Sequence, residues 1–411
     1  MFKSKKVASK CNFNVNYISY ILIYLVYSSI FVFLNNYFPI LFFNVLDIDR
    51  IILALVQFLA YSVLLLRPVF ASITDRYKIN GYQRKYYIIF SGYSLVIIYI
   101  FMGFYLTNLF VFGLLLISLY ITSTMLDVST KSLVIDISSS NEMKKRNLFF
   151  ILVGDAFGKF IPFLLFFILI NDIYSVNSWK ALIIYSYIFF IPFLSILPFI
   201  REYNQDKPNQ IIEKSEIVRI YEPNNSVETQ FTKITLILLC VFVFFAFSDA
   251  IFVYAFFPFL INRFGLEKFN LFNFILIFYF LISITSSSVG SFIMKRTNPK
   301  KIILTLIPII GIIYTLYSIA PFTLFIILYL VGCSLGTITN LNISVFVMRF
   351  KINDKSVYFH LITSFRHLSI SVFLPLGTLL SNFITPVYLI IIGAILLNLS
   401  LFPLISIKLQ E

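Results

Sequence analysis

Apolar residues run along this chain in long unbroken blocks, not at the short periods of an amphipathic helix or a half-buried strand. A helix that crosses a bilayer needs about 20 mostly apolar residues. Segments 17–40, 51–73, 86–107, 109–136, 147–170 and 180–200 meet that length, as do 234–260, 271–294, 302–318, 322–347, 357–381 and 387–406. The pattern therefore predicts an all-α membrane protein with twelve transmembrane helices. The longest polar stretch, 201–233, falls between the sixth and seventh. It carries Glu202, Asp206, Glu213, Glu216, Glu222 and Glu228 with Pro208 and Pro223, and reads as a linker holding one short amphipathic helix around 209–221. Two pseudo-symmetric six-helix bundles follow, residues 1–200 and 234–411, joined by a cytoplasmic linker loop at 201–233.

Composition agrees: 60% of the residues are hydrophobic and 12% charged, against about 25% charged in soluble domains. The net charge of +14 would suggest nucleic acid in a soluble protein. Here its placement matters more. With the N-terminus inside, the inner segments hold 24 of the 32 Lys and Arg, while the outer loops hold Arg50, Lys180, Arg263 and Lys268. That bias places both termini in the cytoplasm, with the plasma membrane as the expected location, lipid as a partner and no nucleic acid. The basic N-terminal residues lead into a full-length span with no small-residue cleavage site, so the first helix is expected to be retained. Cys11, Cys240 and Cys333 are too far apart in sequence to form a redox or zinc motif.

The most specific stretch joins the second and third spans: Arg67-Pro68, Thr74-Asp75-Arg76, Gly81-Tyr82-Gln83-Arg84-Lys85, then Tyr87 and Gly92. A carboxylate at a helix C-terminus is unfavourable to the dipole and wants cations nearby, which Arg76, Arg84 and Lys85 supply. The same residues also serve as a simple topology signal, and that reading stays open. At these positions the sequence resembles the major facilitator superfamily, with Ala71 where a glycine is usual and extra residues between Asp75 and Arg84. The longer pattern looks most like the folate-biopterin transporters and the related muropeptide permeases. Those families tend to carry three acids along the fourth helix; here the outer two are Asp127 and Asp136, and the middle one is Lys131. The resemblance assigns Asp75, Arg76, Arg84, Lys85 and Asp136 to a cytoplasmic gate.

Intramembrane charges mark the centre. Asp127 and Lys131 are four apart and share a helix face, as do Asp155 and Lys159. Gly154 and Gly158 form a small-xxx-small pair suited to close helix approach. The seventh span adds Asp249 and the eleventh Arg366-His367. Asp127, Asp155 and Arg366 lie about eight to ten residues from their inner helix ends, or ~12–15 Å deep. The offset between the halves carries Asp127 onto Asn340 and Asp155 onto Arg366. Such charges need partners and default to function, so Asp127, Lys131, Asp155, Lys159, Asp249, Asn340, Arg366 and His367 are expected to bind substrate or a coupling ion. The alternative is that the two acid–base pairs only fix helix packing. His367 titrates near neutral pH and is the candidate for proton coupling. The hydroxyls of Ser283, Thr285, Ser286, Ser287 and Ser288 either line the cavity or bond their own backbone.

Neither His360 nor His367 has a carboxylate or Cys at ligand spacing, so no metal is expected, and no cofactor either. Asp-rich, His-Asp and P-loop motifs are absent from the sequence, which argues against a membrane enzyme or a primary pump. Parallel repeats with a midplane site fit a secondary transporter working as a monomer. Its expected substrate is a small organic anion or zwitterion, pterin- or folate-like by the narrower resemblance, with a sugar, peptide or drug-like solute as the alternative and protons as a coupling ion. A transporter-derived sensor or scaffold is the main alternative.

Overall fold

The computed structural model describes residues 15–38, 50–138, 141–170, 175–202, 279–348 and 383–405 continuously, with scattered positions between 41 and 48 and between 240 and 275, and residues 364 and 380. Among them, nine helices are long and apolar enough to cross a membrane. They fall on the first six, the ninth, the tenth and the twelfth of the expected segments. Tyr279–Arg296 falls on the eighth, while most of 234–260 and 357–381 lies outside the described residues. The described part is a multi-pass membrane protein.

Helix α1 (Val15–Val32) runs on through one wide turn, Phe33–Tyr37, whose rings join Phe38, Phe163, Phe166 and Trp179 in an aromatic cluster. The second span is two helices, α2 (Arg50–Ser62) and α3 (Arg67–Arg76), joined by the tight turn Val63–Leu66. Pro68 accounts for the break, because it has no N–H to donate to the preceding turn. Helix α4 (Lys85–Phe104) and α5 (Leu109–Ile137) follow, the latter capped by the Asn108 side chain, which accepts from the Val111 N–H at 3.2 Å. Its 29 residues reach about 43 Å at 1.5 Å each, well beyond the hydrocarbon core of ~30 Å.

Helix α6 (Asn141–Leu169) starts at Asn141, six residues before the expected 147, so Lys144, Lys145 and Arg146 are helical. Backbone hydrogen bonding continues past the apolar boundary that the sequence marks. Helix α7 (Val176–Ile196) closes the first group. The second group comprises α8 (Tyr279–Arg296), α9 (Pro299–Tyr317), α10 (Phe322–Met348) and α11 (Pro386–Leu399). Helix α9 begins at an Asn-Pro start, with Asn298 accepting from the Lys300 N–H at 3.1 Å.

Within the first group α1 packs on α6 and α7, and α5 packs on α2, α3 and α4; within the second, α10 packs on α8 and α9, and α9 on α11. The groups meet where α6 lies against α8. The α1–α6 contact depends on glycine. A Cβ at Gly154 would strike the Ile21 carbonyl, and one at Gly158 the Leu25 and Tyr24 carbonyls. Bare backbone lets the helices approach, which is where stability comes from when lipid offers no hydrophobic drive between helices. Ser29 fastens the contact, its Oγ donating to the Gly158 carbonyl at 2.8 Å.

Candidate functional site

Three polar constellations are built on this frame. The deepest centres on Asp127 of α5. Its carboxylate pairs with Arg67 at the start of α3, both side chains fully buried, and with Lys131 Nζ at 3.0 Å. Tyr24 of α1 donates its hydroxyl to Asp127 Oδ1 at 2.5 Å, and Lys131 sits over the Tyr24 ring at 5.8 Å. The expected pair Asp127–Lys131 therefore forms, but it is not self-contained: Arg67 shares the same carboxylate. An Arg buried in a membrane helix needs a partner, and α5 supplies it one helix away. Stacked and edge-on rings (Tyr27, Phe31, Tyr120, Tyr61) continue from Tyr24.

The second constellation borders a cavity of about 210 Å³ between the two helix groups. Helix α6 contributes Leu152, Asp155 and Lys159; α9 contributes Tyr314 and Tyr317; α10 contributes Tyr329, Gly332, Cys333, Gly336, Thr337 and Asn340. Lys159 Nζ lies 2.7 Å from Asp155 Oδ2, with both side chains about a third exposed, and Ser28 of α1 donates to Asp155 Oδ1. The cavity thus brings Asp155, Lys159 and Asn340 together. Asp127 and Lys131 do not line this cavity, although Tyr24 and Ser28, one turn apart on α1, reach Asp127 and Asp155 respectively. The reason is rotation: on α5 they face α1 and α3, while Asp155 and Lys159 on α6 face the seam. Asp249, Arg366 and His367 lie outside the described residues. Of the hydroxyls on α8, Thr285 and Ser288 bond the Leu281 and Ile284 carbonyls at 2.9 and 3.0 Å and face outward.

The third constellation ties the ends of α3, α4 and α5. Arg84 is buried, donating from Nε to Asp136 Oδ2 at 3.1 Å and from its terminal nitrogens to Asp75 and Thr74. The chain reaches it through a tight hairpin in which Asn80 and Gly81 take φ of 53° and 80°, the left-handed pair that a two-residue turn of this kind requires. Arg76 is exposed, and Lys85 lies over the Tyr82 ring at 5.5 Å.

Sequence reasoning missed Glu202. Its carboxylate accepts the Gln83, Arg84 and Lys85 N–H groups at 3.0, 2.9 and 2.7 Å, filling the positive N-terminus of α4. Asn16 holds the neighbouring Arg201 backbone through two hydrogen bonds, at 3.0 and 2.9 Å. No sequence motif announces this contact, because it joins a linker residue to a turn more than a hundred residues away.

No protein-family model matches the sequence, and no curated protein matches it. Solved structures do. The major facilitator superfamily proton:xylose symporter XylE, determined with bound 6-bromo-6-deoxy-D-glucose, aligns at a TM-score of 0.71 over 94% of this chain and 94% of that chain, with 12% sequence identity. At that identity the likeness speaks to architecture alone, and on architecture it is decisive: this chain has the major facilitator fold.

Proposed function

We infer that the protein is a secondary transporter that moves a small organic solute across a membrane by alternating access, with its site in the cavity between the helix groups. One observation carries the reading: charged side chains of α6 face tyrosines and an amide of α9 and α10 across that cavity. A site divided between two packed bodies changes when they rock, as alternating access requires. The bodies we assign are residues 1–200 and 234–411, with 201–233 as the linker. The loop charges support cytoplasmic termini; a plasma-membrane location and a monomeric state are part of the proposal.

The described cavity charges, Asp155 and Lys159, balance, which favours a zwitterion; Arg366 and His367, as proposed site residues, extend the preference to small anions. About 210 Å³ is below the ~300–1,000 Å³ of drug-sized pockets, so a single pterin ring system suits it better than a whole folate. Asp249, Arg366 and His367 complete the proposed site, with His367 the proton-coupling group. Asp75, Arg84 and Asp136 form the proposed cytoplasmic latch, flanked by Arg76 and Lys85.

Flux in proteoliposomes, with and without a pH gradient, tests the reading. Counterflow of a small anion or zwitterion that is lost in Asp155→Asn/Lys159→Gln is the expected result. Tight binding of a solute without any flux would instead make the chain a sensor or scaffold.

A further inference from the structure

We propose that Arg263 is a positioning residue for the cavity: it binds the carbonyls that end α9 and so holds the Tyr317 ring in a notch of α10 at Gly332, where that ring forms cavity wall. The consequence for transport rests on the cavity being the transport site; the placement of Tyr317 does not.

The need for an outside donor is written in the chain. The final carbonyls of a helix lie beyond its own N–H donors, and four places on from Tyr317 stands Pro321, which has no N–H to offer. Arg263 supplies the donor, giving hydrogen bonds from Nη1 to the Tyr317 carbonyl at 2.9 Å and to the Ser318 carbonyl beside it. A cation there also meets the negative end of the helix dipole. Two rings of its own segment hold the guanidinium, Phe259 at 5.4 Å and Phe264 at 5.2 Å, a cation–π arrangement that suits arginine. Both rings pack on Phe325 of α10, 6.0 and 5.5 Å away, and the Tyr317 ring meets Phe325 at 5.2 Å. Arg263 is thus joined to α9 by hydrogen bonds and to α10 through rings.

Tyr317 carries this fixation inward. Its hydroxyl donates to the Leu328 carbonyl of α10 at 3.3 Å, one turn from Gly332, and a Cβ at Gly332 would come within 2.6 Å of that hydroxyl. Glycine is therefore what lets the ring lie on the α10 backbone. The ring stacks on Tyr314 at 5.7 Å, and both tyrosines border the cavity together with Gly332 and Cys333. Tyr317 is fastened at both ends, by Arg263 at its carbonyl and by α10 at its hydroxyl. Loosening the last turn of α9 lets the ring leave its notch, and the cavity widens beside Cys333.

Cys333 gives the readout in a protein with Cys11→Ser and Cys240→Ser: its rate of alkylation by N-ethylmaleimide, with the melting temperature measured alongside. Arg263→Met keeps an apolar stem between the two rings and removes the donors. It should speed alkylation about fivefold, equivalent to ~1 kcal/mol, the order that a cation contributes at an exposed helix C-terminus. Arg263→Lys retains a cation and donors, and should stay within about twofold of wild type. In a Tyr317→Leu protein alkylation is already fast, and adding Arg263→Met should leave it unchanged, because the ring it acts through is gone. An unchanged rate in Arg263→Met overturns the proposal, as does an equal gain with and without Tyr317, or Arg263→Lys as fast as Arg263→Met. A lower melting temperature without faster alkylation reduces Arg263 to a structural residue and overturns it too. Neither readout uses flux, so the positioning role and the transport reading fail separately.

Discussion

Replacing Asp127 by Asn removes the carboxylate that Arg67 and Lys131 share, and the two cations differ in what they then lose. Arg67 is fully buried, whereas the Lys131 side chain is 24% exposed. Removing one partner of a buried ion pair costs about 3–5 kcal/mol, because the other charge stays desolvated. A partly exposed pair is worth only about 0–1 kcal/mol. Asp127→Asn should therefore cost about 3–5 kcal/mol through Arg67, and Lys131→Gln under about 1 kcal/mol. The sharper test is the double variant Asp127→Asn/Lys131→Gln. A self-contained pair on one helix would make it nearly silent; with Arg67 still buried, it should cost about as much as Asp127→Asn alone. Arg67→Met/Asp127→Leu, which removes both buried charges, should recover most of the loss. Trp179, the single tryptophan and a fully buried one, gives the readout: at about 2 °C per kcal/mol the double variant should melt roughly 6–10 °C below wild type. Melting within about 2 °C of wild type would refute the claim that Arg67 depends on Asp127.

The remaining predictions touch the frame and the latch. Gly158→Leu should abolish folded yield, since its side chain meets the Leu25 backbone carbonyl, while Gly113→Ala, with Val56 at 3.6 Å, should be tolerated; equal yields would mean the α1–α6 contact is not close. Asp75→Asn/Arg84→Ala should cut flux severely with normal membrane insertion, and full flux would reduce the loop to a topology signal. Cysteines introduced as Ser139→Cys and Thr297→Cys should react with impermeant thiol reagents only from the cytoplasmic side; labelling of intact cells would invert the orientation.

Lipid makes some features legible in sequence and hides others. Span positions are plain because the bilayer dictates length and apolarity together. Pairs such as Asp155–Lys159 are plain because four residues return to the same helix face, and the glycines at 154 and 158 because only small side chains permit close approach. What α5 and α6 face is not plain. Both are apolar nearly all round, so no polar stripe sets their rotation. Arg67 lies inside the second apolar segment, but its choice of Asp127 depends on how α3 and α5 turn toward one another. The tyrosine wall of α9 and α10 was hidden for a related reason: in a chain with 26 tyrosines, none stands out. The Arg84 knot was easier, since hairpin and basic run lie within ten residues of Asp75.

The cavity's division between α6 and α10 has a mechanical consequence. Asp155 and Lys159 move with α1, to which α6 is fastened at Gly154, Gly158 and Ser29, whereas Gly336 and Asn340 move with α9 and α10. A solute small enough to touch both walls acts as a clasp and favours the state in which they are close, by as much as it binds that state better. A compound with the same charged end but a body too large for about 210 Å³ would act as a wedge, holding the charge pair while keeping α10 away. On the proposed transport role, clasp and wedge would shift the same equilibrium in opposite directions, so an inhibitor would come from lengthening the solute rather than abandoning it.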